Sequence, residues 1–182
     1  MQRISRVWWI SALVVTVLFI MQPASAQRIK RYRERPETQG IEFLVEVEKG
    51  VFKLTNEMRR KNALPPLTDE RLLRDIARDH SVDMLMKKFF SHVNPDGKSP
   101  HERIISEYPY ALTATGENIW GADGSEPLDT GRLARIIVDT WMSSPGHRQN
   151  ILNSNFTDIG VGVAAVGKQI RATQVFARIK NQ

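Results

Sequence analysis

Apolar residues recur along this chain with two different periods, and the period changes once. Leu44, Val47, Val51, Leu54 and Met58 are spaced by three and four, which puts them on one stripe of a helix. The stripe predicts a helix over 44–62, ended by Pro65 and Pro66, which cannot continue a hydrogen-bonded turn. Thr68, followed by Asp69 and Glu70, reads as an N-cap with acids in the first turn. A second helix over 69–89 then carries Leu73, Ile76, Ala77, His80 and Met84 on one face. "FFSHVNPDGKSP" reads as a loop, and a short third helix runs from Ser99 or Pro100 to Ser106. Tyr108 to Ser125 reads as irregular chain with a brief strand at Asn118 to Trp120. Thr130 caps a fourth helix with Leu133, Ile136, Ile137, Thr140 and Trp141, halted by Ser143-Ser144-Pro145-Gly146. From Ile159 the period becomes two: "IGVGVAAV" and Gln169 to Ile179 read as strands joined by a tight turn at Gly167-Lys168. Helices first and strands last predict an α+β domain rather than alternating βαβ units.

The first 26 residues read differently. Arg3 and Arg6 precede an apolar run from Val7 to Met21, and Ala24-Ser25-Ala26 is a small-residue cleavage pattern. Residues 1–26 are therefore expected to be a signal peptide cut after Ala26, placing the mature protein in the periplasm, the cell envelope or the medium. The chain has 26 Lys and Arg; taking away Arg3 and Arg6 leaves 24, against 20 acids. Five of the 24 crowd into "RIKRYRER", so residues 27–40 read as a basic linker ahead of a nearly neutral domain over 41–182. A nucleic-acid binder carries its charge on the fold itself, so nucleic acid is not an expected partner. The linker can be a solvated tether, or it can dock electrostatically on envelope polymer or a membrane surface. There is no cysteine, which excludes disulfides, a thiol nucleophile and an iron–sulfur cluster.

Standard catalytic signatures fail. "GKS" at Gly97 lacks the upstream glycine of a phosphate loop, since His92 stands there, and neither H-E-x-x-H nor G-x-S-x-G occurs. Of four histidines, His80 falls on an apolar stripe and reads as a core residue donating to a carbonyl. His101, in the first turn of a helix, reads as a surface residue. His92 and His147 both follow loop-forming or turn-breaking stretches, and Glu117 follows Gly116 in another. Two imidazoles and a carboxylate can ligate a zinc ion that keeps a position open for water. Spacing leaves a second reading open, in which the three merely hold loops together.

The order of segments adds to this. "NEMRR", "LPPLTDERLLRDIARDHSVDM", "FFSHVNPDGKSPHERI", "GENIW", "WMSSPGHRQNIL" and "FTDIGVGVA" together resemble the CAP superfamily (cysteine-rich secretory proteins, antigen 5, pathogenesis-related 1), in its bacterial, cysteine-free branch. The resemblance spans Val51 to Ile179. It implies a three-layer α-β-α sandwich with a central antiparallel sheet and a solvent-open cleft. It also implies a ligand cleft at His92, Glu117, Ser144 and His147, with His92 and His147 able to hold a divalent metal, zinc foremost. Relatives with W-x-x-E carry a second glutamate where this chain has Ser144, which weakens any mechanism needing two carboxylates. No catalytic residue can be named beyond Glu117, if any.

Three functions stay open. One is a secreted binding module for a metal, small molecule, lipid or peptide. Another is a metal-dependent hydrolase of peptides or wall polymers, with Glu117 working on metal-bound water. The last is a structural role in the envelope, docked by the basic linker.

Overall fold

The computed structural model describes residues 40–107, 112–124 and 129–179. The signal peptide and basic linker expected over 1–40 lie outside these residues, Gly40 apart. Among the described residues no helix is long and apolar enough to cross a membrane.

The elements in chain order are β1 (Glu42–Phe43), α1 (Val45–Lys61), β2 (Thr68–Asp69), α2 (Arg71–Met86) and α3 (Pro100–Glu107). They continue with β3 (Leu112–Ala122), α4 (Thr130–Ser143), α5 (Pro145–Ile151), β4 (Asp158–Val166) and β5 (Gln169–Ile179). The sheet runs β1-β4-β5-β3, with β2 alongside β4. All pairings are antiparallel except the short β2–β4 contact. The α+β sandwich expected from the sequence is the fold.

Alternation along the strands separates two cores. Ile159, Val161, Val163, Ala172 and Phe176 face Val47 and Val51 of α1 and Leu133, Ile137 and Trp141 of α4. Val175 and Ala177 face the opposite way, against Leu73, Ile76 and Ala77 of α2 and Ile104 of α3. Each fully buried branched or aromatic side chain here contributes about 1.5–3 kcal/mol. α2 lies directly on the backbone of β4. A Cβ at Gly160 would fall 2.1 Å from Arg74 N, and one at Gly162 would fall 2.2 Å from Arg78 N. The alternating glycines of "IGVGV" are thus the seat of a helix.

Three expectations need correction. Thr68 is not the N-cap of α2: Thr68 and Asp69 pair with Asp158 and Ile159 as β2, and the Glu70 side chain accepts from Leu73 N at 2.7 Å. The cap of α4 is Asp129, accepting from Arg132 N, rather than Thr130. The irregular chain expected from Tyr108 to Ser125, whose residues 108–111 and 125 lie outside the described ones, is a long strand over 112–122 rather than a three-residue one. β3 is eleven residues long and pairs along β5 from Leu112 to Ala122.

Candidate functional site

Among the described residues β3 has β5 on one side and no strand on the other, so its outward carbonyls need other partners. Trp141, fully buried at the end of α4, donates its indole N–H to Ile119 O at 3.0 Å. Asn150 of α5 donates to Glu117 O at 3.0 Å and to Asn118 Oδ1 at 2.9 Å. Asn118 donates in turn to His147 O and to Gln174 Oε1, both at 3.1 Å. Gly116 leaves room for this covering, because a Cβ there would meet the Phe156 ring at 2.7 Å and Asn150 Oδ1 at 3.2 Å. At the far end of α5, the buried Arg59 donates to Ile151 O, Asn153 O, Pro65 O and Phe156 O.

This explains the break at Ser-Ser-Pro-Gly. The halt expected there is immediately followed by a second helix. Ser144, extended at φ −96° and ψ 123°, closes α4 and opens α5, with Pro145 at its first position. Proline suits that place because its missing N–H would have had no helical partner. The new axis lets α5 close over the β3 edge and sets His147 in its first turn. The side chain of Ser144 makes no capping hydrogen bond.

Glu117 projects from β3 and its side chain is 1% exposed. One oxygen, Oε1, accepts from His92 Nδ1 at 2.8 Å. The other, Oε2, accepts from Arg103 Nη2 of α3. Arg103 Nη1 also holds the loop itself, donating to His92 O at 2.7 Å and to Lys98 O at 3.1 Å. His92 thus has a fixed Nδ1, while its side chain remains 47% exposed. Behind the carboxylate stands His80, fully buried, with Nε2 3.0 Å from Ser91 O and 3.8 Å from Glu117 Oε1. Burial pushes the His80 imidazole below its ordinary 6.5, against the pull of the Glu117 carboxylate.

His147 is half-buried, and its Nδ1 is buried without a hydrogen-bond partner among the described residues. Burial holds its pKa below 6.5, and the charge of protonated His92 lowers it further. The two imidazoles are therefore neighbours electrostatically. His92 is bonded to Glu117 in the middle of β3, the carbonyl of His147 is held by the next residue, Asn118, and Ser144 is the hinge between α4 and α5. No group of three His, Cys, Asp or Glu among the described residues could together hold a metal ion. His101 is exposed, 3.2 Å from Thr115 Oγ1, and takes no part.

Arg103 is the residue that sequence reading missed. A charged residue next to Ile104, on the buried face of a short helix, was the available signal; "SPHERI" draws attention to its histidine instead.

Residues 52–176 match the model of the cysteine-rich secretory protein family, CAP. The chain belongs to this family. The curated relatives it matches include the Bacillus subtilis protein YkwD, 36% identical over 145 residues, or 80% of this chain. Another is the B. subtilis membrane protein YlbC, 34% identical over 64% of this chain. The matches span 51% and 31% of those relatives, so this chain covers about half of the first and a third of the second. Among solved structures, an extracellular SCP-domain protein of Bacillus anthracis superposes with a TM-score of 0.59 and 32% identity. That match covers 72% of this chain and 40% of the other. An outer surface protein of Borrelia burgdorferi gives 0.64 at 23% identity, over 74% and 94%, and speaks for the fold alone. The cysteine-free CAP architecture expected from the motifs is the one observed.

Proposed function

We propose that this CAP domain is an extracytoplasmic binding module whose cleft takes a divalent cation, zinc foremost, at His92 and His147. The observation that carries this reading is the complete engagement of Glu117. With one oxygen on His92 and the other on Arg103, the buried carboxylate orients His92 from behind and leaves Nε2 as the nitrogen able to ligate. A carboxylate fixing the far nitrogen of a ligand histidine is a recurrent second shell of zinc sites. His147 fits the same chemistry as a half-buried imidazole with a lowered pKa that keeps it neutral. Two imidazoles leave further positions of the ion to water or to donors of a small molecule, lipid or peptide. Bound there, the ion would act as a Lewis acid towards such a donor.

The hydrolase reading has less support. A base must reach the water it deprotonates, and Glu117 is buried with both oxygens engaged; Ser144 supplies no carboxylate in its place. A location outside the cytoplasm is supported by the leader pattern of residues 1–26 and by the similarity to an extracellular protein. Docking of the basic linker on envelope polymer or membrane is tested by deleting residues 27–35 and measuring retention.

The site is tested by thermal unfolding with and without zinc. A ligand that binds only the folded state raises Tm with concentration. Zinc should raise Tm of the native protein, and His92→Ala and His147→Ala should each abolish the rise. An equal rise in both variants would remove the site.

A further inference from the structure

The loop that carries His92 has no regular structure, and Ser91, His92 and Val93 are all exposed. Such a segment ordinarily samples many backbone states. Two buried side chains prevent this. Arg103 Nη1 donates to His92 O at 2.7 Å, and His80 Nε2 lies 3.0 Å from Ser91 O. These two carbonyls belong to the peptide planes on either side of the His92 Cα. A peptide unit is planar, so a residue turns only about φ and ψ, the bonds joining its Cα to those planes. Holding both planes leaves His92 only its side-chain torsions, and the bond from Nδ1 to Glu117 Oε1 sets those.

His80 is an uncommon choice for its place in the core. It is fully buried on α2 and stands edge-on to Phe89, with 5.8 Å between ring centroids. Burial lowers its pKa and so favours the neutral ring, which carries one N–H and one bare nitrogen. Ser91 O is an acceptor, so the proton sits on Nε2. Glu117 Oε1, 3.8 Å from the same nitrogen, favours it there too. Nδ1 is then a bare acceptor, buried and without a partner among the described residues. An unmatched buried acceptor costs stability, and an aliphatic side chain would fill the space without one. Core packing therefore does not account for an imidazole here. The bond to Ser91 O does.

We propose that His80 is a positioning residue for His92: its Nε2–H holds the Ser91 peptide plane, so that the His92 ring meets Glu117 through Nδ1 and keeps Nε2 for a ligand. Releasing Ser91 O frees that plane. The Nδ1 bond to Glu117 then loosens, and the ring can place its proton on either nitrogen. A ligand histidine whose far nitrogen is not held binds metal more weakly. The consequence for metal rests on the function proposed above; the fixed tautomer of His92 does not.

The test reads imidazole ¹⁵N spectra of the full metal-free chain at about pH 8, above the ordinary histidine range. His80 should carry its proton on Nε2, and His92 on Nδ1. His80→Phe keeps a ring against Phe89 and removes the donor, so His92 should then populate both tautomers. His80→Gln restores an N–H near the place of Nε2 and should return His92 to the single Nδ1–H form. Zinc should bind His80→Phe about 10–100-fold more weakly than the native chain, with most of the loss recovered in His80→Gln. A His80 proton on Nδ1 would overturn the proposal without any variant. So would a single Nδ1–H form of His92 in His80→Phe. A native chain that ignores zinc while its tautomers respond as expected would remove the metal and leave the positioning role standing.

Discussion

Two buried glutamates meet arginines in this protein, and they do different work. Glu48 and Glu117 are 4% and 6% exposed. Glu48 is closed on all sides: Arg78 takes both oxygens, and Val163 N–H adds a third bond. Phe43 covers the guanidinium, 5.5 Å from its ring centroid. The pair stitches α1 to α2 across the edge of β4. Glu117 gives only one oxygen to its arginine and the other to a histidine that is half in water. Burial and residue type are alike. What separates a structural staple from a site is where the second oxygen goes.

The comparison breaks most visibly at Glu48. Glu48→Gln leaves Arg78 charged and uncompensated, a loss of about 3–5 kcal/mol for a buried pair, measured by urea unfolding, with zinc binding retained. Glu117→Gln should cost less, about 1–3 kcal/mol, because Arg103 keeps the carbonyls of His92 and Lys98. It should instead weaken zinc by about 10–100-fold, read by calorimetric titration. Stability should next depend on acid through His80 and His147, both held below 6.5 by burial. The unfolded chain then takes up protons first, so stability is full above about pH 6.5 and declines as pH falls through the lowered native values. Urea midpoints across that range measure it, and His80→Gln should flatten the decline. Ser144→Ala should change stability by no more than about 0.5 kcal/mol, since its side chain makes no capping bond.

Much of the fold was legible because its signals are local. The stripe of α1 and the hairpin of β4 and β5 were read to within a residue or two, and the segment order pointed to the CAP fold. The extent of β3 was not legible. Gly116 and Gly121 bracket the brief strand read at Asn118 to Trp120 and are ordinarily turn residues, and the groups that cover its edge, Asn150 and Trp141, lie far along the chain. β2 looked like a helix cap because its partner, β4, is equally remote. At the site, His92, Glu117 and His147 stood out as polar residues beside turns. Arg103, Glu48 and Arg78 did not, because a charged residue on a helix ordinarily faces water. Only tertiary packing turns these three inward.

The arrangement of His92 between Glu117 and solvent is tested most directly by imidazole ¹⁵N spectra of the protein titrated with zinc. His92 should keep its Nδ1 proton, donated to Glu117, while His92 Nε2 and one nitrogen of His147 shift together with zinc. Ring resonances of His92 and His147 that ignore zinc, or a His92 that loses the Nδ1 proton on binding it, would rule out zinc at these two imidazoles.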